Sequence, residues 1–223
     1  MQRDLNNTLS LRLKQCVLPV VAATLAACAT TSTTSNVREA KVPESSSRVE
    51  VEEAVGFTIV EEGKVSADIR ARYDEAVARL EQGDHAAAVD SLAAITEEAP
   101  HLSAPLVDLG VEQHRAGELE AAEETLRLAI EAAPEHPVAH NELGIVYRKL
   151  GRFRESREHY EAALAVYPGY HYARRNLAVL CDLYLEDFDC ALENYEAYLV
   201  QVPEDEEASM WVAAVRLRMD QGG

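Results

Sequence analysis

The sequence predicts an all-α fold, a helix-turn-helix solenoid of about four repeats closed by a C-terminal capping helix, and three observations predict it. Prolines recur at Pro100, Pro134, Pro168 and Pro203, spaced 34, 34 and 35 residues. Gly83, Gly117 and Gly151 recur at the same 34-residue interval, between runs of helical periodicity, where a helix ends on a left-handed residue. Small and large apolar residues occupy matched offsets in every unit. One such unit is too small to bury its own apolar face, so neighbours must stack.

The unit 137–168 is the best formed. Leu143, Gly144 and Tyr147 mark its first helix, Ser156, Tyr160, Ala163 and Leu164 its second, and Pro168 stops propagation. The preceding copy reads Leu109, Gly110, Gln113, Ala122, Leu126, Pro134. In the first copy Ala76, Ala88, Leu92 and Pro100 match, while Glu75 and Arg79 stand where apolar residues are expected. The last reads Leu177, Ala178, Cys181, Ala191, Tyr195, Pro203, with one extra residue before Phe188 and with Glu186 and Asp187 in place of the turn glycine. With its 34-residue period, this pattern resembles the tetratricopeptide repeat (TPR). The resemblance implies four repeats over 67–203, namely 69–102, 103–136, 137–170 and 171–203. Ser66 or Asp68 is placed to cap the first helix. After Pro203 the acidic residues 204–207 open a helix over 204–220 with Ala208, Trp211, Val215 and Met219 on one face, as expected of a cap.

Upstream of the array the composition changes. Of 223 residues, 48% are apolar and 27% charged, a globular balance. Arg3, Arg12 and Lys14 precede a twelve-residue apolar run from Cys16 to Ala27, too short to span a bilayer and suited to an export signal over 1–27. Leu25-Ala26-Ala27-Cys28 resembles the lipobox of bacterial lipoproteins. That resemblance implies cleavage before Cys28 and its lipidation with palmitate-type chains, and Ala29 implies an outer-membrane address facing the periplasm. Several acyl chains give the stable anchoring that one does not. Residues 28–48 are Ser/Thr-rich, a flexible tether with a reach of roughly 25 Å. Over 49–66, Val49, Val51, Val55, Phe57 and Ile59 alternate, an extended N-terminal arm laid over the first helix pair or a strand offered to a partner sheet.

The chain carries 21 basic and 39 acidic residues, net −18. Loss of residues 1–27 would leave 18 and 38, net −20, which opposes nucleic acid and anionic lipid as partners. Arg148, Lys149, Arg152, Arg154, Arg157, Arg174 and Arg175 reverse that balance locally, with Tyr160, Tyr167, Tyr170 and Tyr172 among them. They form either a solvated face with helix pairs such as Arg154-Glu158 and Arg157-Glu161 or a docking patch. By the TPR resemblance, the first helix of each repeat lines a concave groove for a protein or peptide partner, here through Val107, Val111, Asn141, Ile145, Arg148, Arg175 and Val179. The family's clamp for a C-terminal carboxylate lacks its opening pair, those positions being Tyr73 and Val77 or, one repeat on, Val107 and Val111; Asn141 and Arg175 remain to hold a carboxylate.

Cys181 and Cys190 lie in the last repeat, open to two readings: a disulfide, as export favours, or two buried thiols. His136 and His140 are four apart at a helix start, with no further ligand at metal spacing. No HExxH, GxSxG, phosphate loop or nucleophile-base motif is present. The reading is therefore a non-enzymatic interaction scaffold with no cofactor and no metal, a periplasmic TPR lipoprotein resembling pilotins, which assist assembly of an envelope complex. The alternatives are an accessory subunit of an envelope transport or energy-transducing (TonB/ExbB-type) system and, remotely, an envelope hydrolase.

Overall fold

The computed structural model describes residues 46–52, 56–62 and 65–222. The expected signal over 1–27, the lipidation site Cys28 and the tether as far as residue 45 lie outside the described residues.

Where one extended arm is expected, the backbone forms an antiparallel hairpin of β1, Ser46–Glu52, and β2, Gly56–Glu62. Val49 pairs with Ile59 and Val51 with Phe57. Two period-two runs separated by a short break favour pairing with each other over one long strand. Pairing takes in Ser46 to Arg48 as well, three residues expected in the tether.

Nine helices follow among the described residues: α1 (Ala67–Glu81), α2 (His85–Glu98), α3 (Ser103–Ala116), α4 (Leu119–Ala132), α5 (Pro137–Lys149), α6 (Phe153–Val166), α7 (His171–Leu180), α8 (Phe188–Gln201) and α9 (Glu206–Gly222). They stack as four hairpins and a last helix, each helix packing on the next and α5 also touching α3 and α7. Ser66 caps α1 through the Ile69 N–H at 3.1 Å. Pro137 opens α5, where its missing N–H costs nothing, and His136 Nδ1 accepts from the Ala139 N–H at 3.1 Å.

Close approach within a hairpin depends on the small residues. A Cβ on Gly110 would lie 2.6 Å from Leu126 Cγ, and one on Gly144 2.6 Å from Tyr160 Cε1. Ser156 Oγ donates to the Gly144 carbonyl at 2.7 Å across the same contact. Leu92, Leu126, Tyr160 and Tyr195, the large residues of the four second helices, are all at most 1% exposed. Each buried side chain of this size contributes roughly 1.5–3 kcal/mol. Glu75 and Arg79, out of pattern in the first copy, pair with each other at 2.5 Å on the surface of α1.

The fourth hairpin differs. Gly83, Gly117 and Gly151 take φ of 81°, 84° and 75° at the first three turns, whereas Glu186 occupies that role at φ 52°. The extra residue is absorbed as a π turn over Cys181–Leu185, closed by the Asp187 N–H donating to the Cys181 carbonyl at 2.9 Å. Cys181 and Cys190 are joined as a disulfide across this turn, their Cα atoms 5.9 Å apart. Ala208, Val212 and Val215 of α9 are buried, with Trp211 and Met219 packed beside them. The last helix thus covers α8.

Candidate partner-binding groove

The first helices α1, α3, α5 and α7 present equivalent residues at 34-residue steps, and three such rows define one face of the array. Tyr73, Val107, Asn141 and Arg175 form the row nearest the seams. Asp74, Asp108, Glu142 and Asn176 form the next, and Val77, Val111, Ile145 and Val179 the third. Hydrogen bonds between successive first helices fix their register. The Tyr73 hydroxyl donates to Asp108 Oδ2 at 2.7 Å, and Asn176 Nδ2 donates to Asn141 Oδ1 at 2.9 Å.

Of the seven residues expected to line the groove, Val111, Ile145, Arg148, Arg175 and Val179 are half-buried, so part of each side chain reaches the surface. Val107 and Asn141 do not, at 1% and 2% exposure. Their row points into the seams, and the Asn141 amide is already engaged, accepting from Asn176 and donating to Glu142 at 3.0 Å. The expected partnership of Asn141 with Arg175 around a ligand carboxylate is corrected accordingly. Arg175 instead lies over Trp211, its guanidinium carbon 5.2 Å from the ring centroid, with Nε buried and making no hydrogen bond among the described residues. Arg148 Nε approaches the Tyr160 hydroxyl at 3.4 Å, and its guanidinium sits 5.8 Å from the Tyr184 ring. Both arginines are held by aromatic side chains.

The rest of the basic stretch is dispersed. Arg152 pairs with Glu123 and Glu155, Arg157 with Glu161 and Asp187, and Arg154 with Glu158, at 2.8 to 3.8 Å. Arg174 donates to Asn194 at 3.1 Å. Arg152, Arg154 and Arg157 are thus paired with acids of α4, α6 and the α8 cap, the pairs Arg154-Glu158 and Arg157-Glu161 of the solvated-face reading among them, whereas Arg148 and Arg175 are held by rings.

Two groove residues escaped the sequence reading. Burial pushes the Asp108 carboxyl up to about 6, against the donated Tyr73 hydrogen bond and with the nearby Glu112 charge adding to the rise. Burial likewise pushes Glu142 up to about 7, with the Asn141 amide and the Arg115 charge opposing. His114 Nδ1 lies 4.0 Å from Glu142, and burial, then Lys149, Arg148 and Arg115, lowers that imidazole to about 4, so it is neutral and no counter-charge. Among the described residues neither Asp108 nor Glu142 has a lysine or arginine at ion-pair distance. Their spacing, 34 residues apart and 34 beyond Asp74, was the available signal.

A family model for the tetratricopeptide repeat matches residues 137–170, and a second tetratricopeptide-repeat model matches 79–143. Among solved structures, MamA from Desulfovibrio magneticus RS-1 superposes with a TM-score of 0.62 at 18% identity, covering 70% of this chain and 87% of that one. The fold is a tetratricopeptide-repeat solenoid. A thermophilic TPR protein from Thermus thermophilus matches with a TM-score of 0.56 at 26% identity, covering 68% of this chain and 82% of its own. The first TPR of Spaghetti (RPAP3), solved bound to the HSP90 peptide SRMEEVD, matches with a TM-score of 0.51 at 19% identity over 53% of this chain and 93% of its own. No curated protein matches the chain in sequence.

The histidine pair makes hydrogen bonds at the third repeat. His136 is fully buried as the cap of α5. His140 turns to the second helix, its Nδ1 2.9 Å from His159 Nδ1 and its Nε2 3.0 Å from the Pro134 carbonyl. Since Nε2 must donate to that carbonyl, His140 Nδ1 accepts and His159 Nδ1 donates. Each imidazole is committed to a joint of the third repeat rather than to a shared ligand. The sulfurs of Cys181 and Cys190, near Asp187, are likewise occupied by their bond.

Proposed function

We propose that this chain is a non-enzymatic scaffold that holds a protein partner in the groove of its TPR array while lipidated Cys28 anchors it to the outer membrane, facing the periplasm. The carrying observation is the groove itself. Four stacked first helices present a row of half-buried apolar residues, Val77, Val111, Ile145 and Val179, beside polar groups fixed by hydrogen bonds, a surface prepared for a segment of another chain. A TPR protein solved with a bound peptide shares the fold, which supports the reading. The membrane arm rests on the basic start, the short apolar run and the cysteine that ends it. Within that setting the pilotin-like role, assisting assembly of an envelope complex, is our specific assignment.

Two measurements test this. Ile145→Asp places a charge in the apolar row, and cross-linking in cells should recover the partner with the parent protein and lose it with this variant. Recovery at equal yield overturns the groove. Cys28→Ala should release the protein from membranes and abolish palmitate labelling; unchanged fractionation without labelling overturns the anchor.

A further inference from the structure

The groove has a charge as well as a shape, and the two together select an occupant. Beside the apolar row runs the carboxylate row Asp74, Asp108 and Glu142, one acid per first helix on three successive repeats, ending at Asn176. We propose that the segment seated in the groove is a basic amphipathic helix, its lysine or arginine side chains on this carboxylate row and its apolar side chains on the row containing Val111 and Ile145. This rests on the groove reading above and names the partner's chemistry.

Three features carry it. The acids are spaced by the repeat, not clustered on one helix, so they address a ligand running across the first helices. Packed helices stand about 8–10 Å apart. A ligand helix rising about 1.5 Å per residue covers that step in about five to seven residues, and seven residues return a side chain to nearly the same face. At the wider spacing each repeat meets one heptad, with the cation and the apolar side chain repeating in register.

The second feature is that neither half-buried acid has a lysine or arginine at ion-pair distance. Asp108 is met by a tyrosine hydroxyl and Glu142 by an amide and a neutral imidazole, with Arg115 acting on Glu142 only from farther off, whereas Glu112 on α3 is already paired with Arg115 and His85 at 2.5 and 2.8 Å. A carboxylate that is desolvated yet lacks a cation gains most from a ligand that brings one. The third is that the arginines of the groove face rings, so they do not neutralise the row from within.

The test uses the folded chain and a fluorescent three-heptad peptide with lysine once per heptad, leucine on the adjacent face and glutamine elsewhere. Its twin carries glutamate for lysine. At about 150 mM salt, where long-range attraction is screened, the lysine peptide should bind at least about tenfold tighter than its twin. Asp108→Asn with Glu142→Gln should weaken it by about tenfold, and Glu120→Gln with Glu124→Gln, the same charge change on exposed positions of α4, by less than about twofold. Equal binding of the two peptides, equal losses in the two double variants, or no binding of the lysine peptide overturns the inference. Asp74→Asn, at an exposed position, serves if substituting the half-buried pair disturbs the circular dichroism spectrum, and should cost about threefold; no loss there overturns the inference. If both peptides bind and Ile145→Asp abolishes both, the groove stands and only the charge assignment falls. Binding indifferent to Ile145→Asp removes the groove reading itself.

Discussion

The third and fourth hairpins are built on the same 34-residue pattern and are held together by different means. In the third, Gly144 lets the Tyr160 ring lie against the backbone of α5, Gly151 makes the turn, and the imidazoles of buried His136 and His140 and half-buried His159 tie the helix starts and the facing helices. In the fourth, Ala178 replaces the glycine, a π turn ending in left-handed Glu186 replaces the simple turn, and the Cys181–Cys190 disulfide spans it. The repeat thus accommodates a one-residue insertion in a hairpin that is also closed covalently. The third hairpin has no such closure and is held by packing and by its own neutral histidines.

The largest effect should come from filling the tight contact. Gly144→Val puts its Cβ 2.6 Å from an aromatic carbon of Tyr160, and overpacking of a fully buried site costs about 3 kcal/mol or more. Urea unfolding should show that loss. Ala178→Val in the fourth hairpin, where a Cβ is already accommodated, should cost clearly less, and equal losses would show that the two contacts are not built differently.

Acid should act on the third hairpin next. Burial lowers His136 to about 3, and burial, then His140, Arg127 and Arg152, lowers His159 to about 4. A depressed folded value means that stability is present above the unfolded value of about 6.5 and is lost as pH falls through the folded one. For fully buried His136 alone the loss by pH 4 is on the order of 3 kcal/mol. His136→Asn keeps a capping acceptor for the Ala139 N–H without the titration. Melting temperatures between pH 7 and pH 4 should fall less steeply in that variant; parallel curves would show that acid enters elsewhere.

Reduction should act on the fourth hairpin instead. The bridge closes a separation of nine residues, which in the chain-entropy account is worth about 2–3 kcal/mol. Cys181→Ser with Cys190→Ser should therefore lower the stability measured by urea unfolding by that amount and raise amide exchange in α8 and α9 while leaving α5 and α6 protected. Uniform loss of protection would show that the array unfolds as one unit, and that the covalent closure is not local.

The fold was legible because its information is periodic: Pro100, Pro134, Pro168 and Pro203 and the small-large pairing repeat often enough that one worn copy does not hide the frame. The doubling-back of the N-terminal arm was less so, since Val49, Val51, Phe57 and Ile59 alternate equally well in one strand or in two. The groove was only half legible. Val111, Ile145 and Val179 follow from their positions, but Asn141 turns into a seam because Asn176 stands opposite it, a pairing 35 residues distant. Asp108 and Glu142 are not distinguishable in the sequence from solvated helix charges, because it is the neighbouring helices that half-bury them. The charge reversal around Arg148 to Arg175 was visible, but not its neutralisation by Glu123 and Asp187 from other hairpins.

The smallest effect tests the turn itself. Glu186 holds φ 52° and ψ 28°, a left-handed conformation that costs an L-residue roughly 1–2 kcal/mol relative to its helical state. Glycine adopts it freely but loses more backbone entropy on folding, so Glu186→Gly should stabilise the oxidised protein by only about 0.5–1 kcal/mol. The same substitution in the double-serine variant should stabilise by a similar amount, because the backbone strain lies in the π turn and not in the bridge. A gain that disappears once the sulfurs are removed would mean that the disulfide imposes the left-handed residue. The fourth hairpin would then differ from the third in one respect rather than in two.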